Sequence, residues 1–403
     1  MSAKHILTII IATCFIFVGA VGLQAPRWKG KVETEGGIKV IKNPKEPLYG
    51  EITYELEEDL SIGNEEDENY LFYRLRDIQV DTDGNIYVLD SGNHRLQVFN
   101  KNGNYLRTIG KKGQGPGEFD TPSFMSLNEE TGNILLTDRS MTVQIFDKEG
   151  QHIDKSIHLA VLLRDFYVDS DGCIWGKFIL PGMDENHSIK KVTSSGEVEK
   201  TIAGIPYYTN RIKLSHSKAG YTANIGGYFF THGYEYDLFI SKIDHHTFIY
   251  GNSKEYELIT VDESGKTLFR IRKDEAPEKI TKNEEERVKN RIRSELAKRG
   301  YFEPDISIEF PEQKPHFFSI LTDSRGRIYV LKNPISRDSD ENHMYDMFSK
   351  EGYFLYRIII PIFPDVIHDG YLYTRSENEK TGEELVKRYK IKNWKEIREG
   401  LKK

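Results

Sequence analysis

The most regular stretch of the chain runs from Asp77 to Gly110 and alternates short apolar segments with polar turns. Ile78–Val80 precedes Asp81-Thr82-Asp83-Gly84-Asn85, a cluster of turn formers. Ile86–Asp90 follows, then the turn Ser91-Gly92-Asn93, the segment His94–Phe99, the tight turn Asn102-Gly103 and the segment Tyr105–Ile109. β-Branched and aromatic residues fill these segments, and runs of this length between turn signals predict strands. Glycine in the tight turn accepts the positive φ that a hairpin needs. The unit therefore reads as four short strands, with Ile78–Val80 ending the first.

The pattern recurs. Thr131-Gly132-Asn133-Ile134-Leu135 opens a second strand, Val143–Phe146 forms a third, and Glu149-Gly150 makes a hairpin. Asp169-Ser170-Asp171-Gly172-Cys173-Ile174-Trp175 is followed by the hairpin Ser195-Gly196. Further on, Asp323-Ser324-Arg325-Gly326-Arg327-Ile328-Tyr329-Val330 is joined by Glu351-Gly352-Tyr353, and Asp369-Gly370-Tyr371-Leu372-Tyr373 comes last. A weaker unit lies between, marked by Gly226–Phe230, Tyr256–Asp262 and the hairpin Ser264-Gly265. Its innermost strand is not fixed by the pattern. Four strands repeated every ~40–50 residues is the signature of a propeller blade. The expected fold class is all-β, a six-bladed β-propeller.

The last unit has no fourth strand after Arg388–Ile391, and Glu51–Leu56 stands before the first unit with no other partner. This segment is expected to clasp the ring and remove an open edge. One insertion departs from the strand pattern. Thr281-Lys282-Asn283-Glu284 is a capping-box sequence, helix formers continue to Lys298, and Gly300 sits where a helix would stop. Val288, Ile292 and Leu296 give it a narrow apolar stripe, which places a helix on one propeller face between blades four and five. The predicted organisation is a signal peptide or N-terminal membrane anchor over 1–22, a linker over 23–49, the propeller over 50–392 with its helical insertion at about 277–300, and a tail over 393–403.

Asp90-Ser91-Gly92-Asn93-His94-Arg95-Leu96-Gln97-Val98-Phe99 resembles the defining stretch of NHL repeats. Gly110 with Gly113-Gln114-Gly115-Pro116-Gly117-Glu118-Phe119 resembles that family's loop between blades. Leader, clasp and repeats together resemble the bacterial exported 6-bladed beta-propeller group of NHL-like proteins. The resemblance implies a ring with a central channel and leaves the activity open, since a fold does not fix a function.

Composition narrows the setting. Lys4 and His5 precede the apolar run Ile6–Leu23, and Ala20-Val21-Gly22 offers a small-x-small cleavage site. The run is also close to the ~20 residues that span a bilayer, so residues 6–23 would tether the chain if retained. Either route places the body outside the cytoplasm: periplasmic, secreted, or membrane-anchored facing outward. Of the two cysteines, Cys14 falls in this run and Cys173 in the body, which excludes an intramolecular disulfide framework. The net charge of −7 comes with no long basic block, so nucleic acid is not an expected partner.

Candidate chemistry reads mostly as architecture. Asp81, Asp83 and Asn85 have the alternating oxygens of a calcium loop but lack its distal Glu, and a turn explains them. Gly110–Gly117 lacks the Gly-Lys-Ser/Thr and following helix of a phosphate loop. His94 reads as a structural histidine, the adjacent His245 and His246 would face opposite ways in a strand, and Cys173 reads as a small buried residue.

Geometry offers more. In a propeller the residues just before the innermost strands meet at one mouth of the channel. Here these are Tyr73, Arg74 and Arg76 in blade one, Pro122 and Ser123 in two, Arg164 and Asp165 in three, His316 in five and Asp365 in six. Three arginines and a histidine would give a positive mouth suited to carboxylate or phosphate ligands. The competing reading pairs Arg74 and Arg76 with nearby acids such as Asp77.

The function these features favour is a binding scaffold for a protein, peptide or glycan, with no resident cofactor. The alternative is a metal-dependent propeller enzyme of lyase or lactonase type. It would use calcium or zinc in the channel, with His316 and Asp365 as candidate groups. A structural role in an envelope assembly is a third reading.

Overall fold

The computed structural model describes residues 26–401 except 139–140, 160–161, 180–185, 207–211, 217–220, 226–233, 299–304, 333–341 and 379. Six antiparallel sheets form a ring. Their innermost strands are Leu75–Val80, Pro122–Leu127, Leu162–Val168, Leu238–Asp244, Ser319–Thr322 and Val366–His368. Six apolar clusters weld the ring, one between each pair of neighbouring blades. Leu89, Val98 and Phe146 join blades one and two, for example, while Ile78, Val88, Tyr373 and Val386 join blades six and one. Between blades three and four, the rings of Trp175 and Phe248 stack at 4.5 Å. The core thus lies between the sheets, and no blade can bury its faces without both neighbours.

A repeated side-chain device fixes the first hairpin of three blades. The Oδ1 of Asp81 accepts from the amides of Asp83 and Asn85 at 3.0 and 2.8 Å, and its Oδ2 accepts from the Tyr87 hydroxyl at 3.1 Å. Asp169 does the same with Asp171, Cys173 and the indole of Trp175. Asp323 does it with Arg325, Arg327 and Tyr329. In each case an Asp at the turn holds its own loop with one oxygen and the ring six positions later with the other. Carboxylates so fully engaged explain the alternating oxygens of Asp81, Asp83 and Asn85 as a turn.

The clasp exists, but its register differs from the expectation. Glu51–Thr53 pairs in parallel with Phe354–Ile360, as a fifth strand of blade five. The missing outer strand of blade six is Leu56–Ile62, antiparallel to Glu384–Ile391. The stretch expected as a linker also contains structure. Lys31–Glu35 and Ile38–Asn43 form a hairpin whose second strand runs parallel to Thr267–Lys273 of blade four. Val40 and Ile41 are fully buried there. Asn43 ties this addition to blade five, donating to the Gly352 carbonyl at 2.8 Å and accepting from the Phe354 amide at 2.8 Å. The N-terminal segment therefore runs along the rim of blades four, five and six in turn. At the other end of the chain, Trp394 and Ile397 pack into the blade five–six cluster.

Blade four takes Leu238–Asp244 as its innermost strand, while Gly226–Phe230 lies outside the described residues. The helix spans Lys282–Lys298 with its capping box in place. The Thr281 amide donates to Glu284 at 2.9 Å, and the Glu284 amide donates to the Thr281 hydroxyl at 3.3 Å. Val288, Ile292 and Leu296 are buried against Tyr234, Ile308, Phe310 and Phe318. The helix thus covers the approach to the innermost strand of blade five. Gly300 lies outside the described residues. A small sheet of Tyr221–Ile225, Ile212–His216 and Asp305–Ser307 joins the segments before blade four and after the helix.

If Leu56–Ile62 closes the ring, shortening its buried end destabilises the whole domain. Ile62 is 1% exposed, whereas Val32 on the added hairpin is 46% exposed. Ile62→Ala is expected to lower unfolding free energy by about 3 kcal/mol, and Val32→Ala by less than about 0.5 kcal/mol. Urea unfolding followed by tryptophan fluorescence distinguishes them, and equal effects would mean that the clasp does not close the ring.

Candidate functional site

Three innermost strands share one irregularity at their entering ends, while that of blade four has its bulge, Ile243, at the other end. In blade one Leu75 pairs with Asp90 and Asp77 with Leu89, so Arg76 is an extra residue. In blade two Pro122 pairs with Asp138 and Phe124 with Thr137, so Ser123 is extra. In blade three Arg164 pairs with Lys177 and Phe166 with Gly176, so Asp165 is extra. A β-bulge kinks the strand and re-aims a side chain; those of blades one and three put Arg76 and Asp165 on the mouth cavity, while the Ser123 hydroxyl donates to the Thr121 carbonyl. Asp165 also adopts φ 25°, a left-handed conformation uncommon outside glycine.

Arg76 and Asp165 line a mouth cavity of about 270 Å3 together with Asp77, Asp365 and Arg375. Its walls include Phe124, Phe166, Tyr167 and Tyr345. A larger space of about 500 Å3 shares Gln79, Tyr167, Leu321 and Asp365 with it. That space continues to the opposite mouth, past His245, Arg325 and Lys350. Asp77, which the sequence suggests only as a partner for arginine, also lines this mouth. Burial pushes its carboxyl up to about 7, against the Met125 amide, which donates to it at 3.1 Å, and the nearby Arg375. Asp365 and Asp165 add to the upward shift.

The other sequence candidates lie elsewhere. Tyr73 is 54% exposed, and the Arg74 guanidinium stacks on its ring at 5.3 Å. The turn after Ile86–Asp90 holds this pair in place. The Tyr73 amide donates to Asp90 at 2.9 Å, and the Gly92 amide donates to the Tyr73 carbonyl at 2.7 Å. A Cβ on Gly92 would sit 2.3 Å from the Tyr73 ring, so only glycine fits. Arg164 is exposed but does not line the cavity.

His316 belongs to a separate network between blades four and five. Its Nδ1 lies 3.5 Å from Glu275, which also binds Lys332 and Lys273, each at 2.6 Å. Lys273 reaches Asp346 at 2.7 Å, and the Tyr256 hydroxyl donates to the same carboxylate at 2.7 Å. Burial would raise Glu275, but His316 and the two lysines hold it well below the carboxylate range. Burial lowers Lys332. These charges satisfy one another inside the fold.

The expected positive mouth is thus not what the cavity presents. Of the three arginines proposed for it only Arg76 lines it, and the acids Asp77, Asp165 and Asp365 outnumber Arg76 and Arg375. The two candidate groups named for the enzyme alternative, His316 and Asp365, lie in separate places, one beside Glu275 and the other at the mouth. Among the described residues, no group of three His, Cys, Asp or Glu is placed to hold a metal ion.

The remaining motifs have structural occupations. Glu118 accepts from the amides of Gln114 and Gly115 at 3.2 and 3.1 Å, filling the glycine-rich loop with a carboxylate. His245 faces Glu129 and His246 faces Glu263. His94 takes φ 57° within its turn. Cys173 is 9% exposed, and burial raises its thiol.

The geometry defines a closed propeller with a channel mouth whose charged groups come from blades one, three and six. The 6-bladed beta-propeller family model matches residues 65–357, well over half of the chain, and the chain belongs to that family. A solved Bacteroides fragilis protein, thought to be exported, superimposes with a TM-score of 0.51 at 13% identity, covering 88% of this chain and 99% of that one. A Bacteroides vulgatus protein of the DUF4221 family gives 0.46 at 10% identity, covering 84% and 98%. Among curated proteins, Protein brain tumor of Drosophila melanogaster is 31% identical over 80 residues, which is 19% of this chain and 8% of that protein. Among the described residues no helix is long and apolar enough to cross a membrane, and Ile6–Leu23 lies outside them.

The raised Asp77 sets a pH dependence. An unfolded Asp titrates near 3.9, so between pH ~4 and ~7 the folded state holds the extra proton. This contribution to stability is full below pH ~4 and is lost as the pH rises through ~7. Asp77→Asn keeps an acceptor for the Met125 amide and removes the charge. It is expected to stabilise the protein by about 2 kcal/mol at pH 8 and by little at pH 4.5, after discounting for channel water. Urea titrations at the two pH values check this, and a pH-independent difference would mean that Asp77 titrates normally.

Proposed function

We propose that this chain is an extracytoplasmic binding propeller of the NHL type that holds its ligand at the channel mouth formed by blades one, three and six. The observation that carries the reading is the set of three bulges at Arg76, Ser123 and Asp165. Bulges interrupt pairing and cluster next to functional sites, where they direct side chains that a regular strand would turn away. The cavity that Arg76 and Asp165 border has aromatic walls and a few charged groups, the make-up of a small-ligand site. Export follows from the basic head and apolar run at the N-terminus, whether that segment is cleaved or kept as a tether. The ligand reaches the cavity as a free molecule or as part of a peptide, protein or glycan.

The test is a binding screen of peptide and glycan libraries against the purified chain. Hits are then measured on Arg76→Ala/Asp165→Ala and on Lys350→Ala, which alters the opposite mouth. The mouth variant is expected to weaken binding at least tenfold, ~1.4 kcal/mol, while Lys350→Ala retains it. Binding that survives in the mouth variant and is lost in Lys350→Ala would move the site to the other face.

A further inference from the structure

The mouth charges fall into two groups. Arg375 is committed: its Nε and Nη2 donate to Asp365 at 3.1 and 2.7 Å, and its Nη1 donates to the carbonyls of Leu75 and Arg76. The Asp365–Arg375 pair is therefore a structural tie between blades six and one. Among the described residues, what lines the cavity beyond it is one cation, Arg76, and two acids, Asp77 and Asp165. Arg76 and Asp165 are both exposed, and among the described residues neither side chain has an ion-pair partner. They come from different blades, each on a bulge, and border one cavity without neutralising each other.

Opposite charges held apart in one cavity complement a ligand that carries both. A dianion would meet Asp77 and Asp165, and a plain cation would meet Arg76. We propose that the mouth takes a zwitterionic ligand, a free amino acid or a short peptide, with its carboxylate on Arg76 and its ammonium between Asp77 and Asp165. Arg binds carboxylate through two parallel N–H donors, and an ammonium donates to carboxylates and is attracted to aromatic faces, which Phe124 and Tyr167 supply. The volume of about 270 Å3 lies just under the ~300–1,000 Å3 of drug-sized sites, which suits a ligand of this size.

The proposal rests on the mouth being the ligand site and adds the ligand's class. It also makes binding pH-dependent. Asp77 is faced by the Met125 amide from blade two, Arg375 and Asp365 from blade six, Asp165 from blade three and Gln79 on its own strand. An ammonium ligand favours ionised Asp77, so affinity rises between pH 6 and pH 8.

The experiment is thermal shift followed by calorimetry on the whole soluble protein. The probes are pools of the proteinogenic amino acids and of dipeptides with one alanine, each beside N-acetylated and C-amidated counterparts. A free-ended pool is expected to raise the melting temperature, and blocking either end should cost at least tenfold in affinity. Arg76→Ala should remove the distinction between acid and amide. Asp165→Asn should weaken the distinction between amine and acetamide, and asparagine tolerates the positive φ at that position.

The class is overturned if no free-ended pool binds, or if blocked compounds bind as well as free ones. If blocked compounds bind equally but are weakened by Arg76→Ala or Asp165→Asn, the mouth stands and only the class falls. If a compound binds and neither substitution changes its affinity, the reading of the mouth as the site falls too.

Discussion

Everything in this molecule depends on closing the ring. A four-stranded sheet has two apolar faces, and each blade here buries both only by packing on its neighbours. Five of the six junctions involve blades consecutive in sequence. The sixth joins blade six to blade one, and blade six is built from both ends of the propeller segment, Leu56–Ile62 pairing with Glu384–Ile391. A strand from just before blade one and the last strand of the chain therefore share one sheet, and the ring cannot be half closed. The mouth cavity inherits this requirement, because Arg76, Asp165 and Asp365 come from blades one, three and six.

The two ends of the channel are built differently. At one end the turn aspartates Asp81, Asp169 and Asp323 lock hairpins with both oxygens, so their charge is spent on the fold. At the other end the bulges leave Arg76 and Asp165 unspent. The asymmetry is physical: an Asx turn satisfies backbone donors and stiffens a loop, whereas a bulge frees one residue from the ladder and lets it face a ligand.

Much of the fold was legible because its signals are local. The turn Asp, the glycine three residues later and the aromatic six residues later recur in sequence at Asp81, Asp169 and Asp323, and they recur in space as one hydrogen-bonded unit. The helix was legible from Thr281, Glu284 and the stripe Val288, Ile292, Leu296. Register was not. Glu51–Leu56 alternates, whereas Leu56–Ile62 carries the acidic run Glu57-Glu58-Asp59, and only the tertiary fit decides which one pairs with Glu384–Ile391. The parallel addition of Ile38–Asn43 had no local mark, because a parallel rim strand depends on a partner more than two hundred residues away. Of the mouth residues, Arg76, Asp165 and Asp365 were found from their place before the innermost strands, and His316 was assigned to the mouth by the same rule. It lies instead in an ion network with Glu275, because position before a strand says nothing about which way a side chain turns.

That contrast also explains why the mouth and not the network is the functional candidate. Lys273, Asp346, Glu275 and Lys332 are charged and deeply placed, but each has an opposite charge within hydrogen-bond distance. Removing any one would leave a buried charge uncompensated, which is the mark of a structural cluster. Arg76 and Asp165 contribute no such pairing, and Asp165 is exposed and lies outside the apolar clusters. Its left-handed backbone belongs to the bulge, a conformation that aspartate tolerates. An unpaired charge on the wall of a cavity is compensated by what enters the cavity, and the opposite charge of Arg76 on the same cavity is the reason the proposed ligand carries both signs.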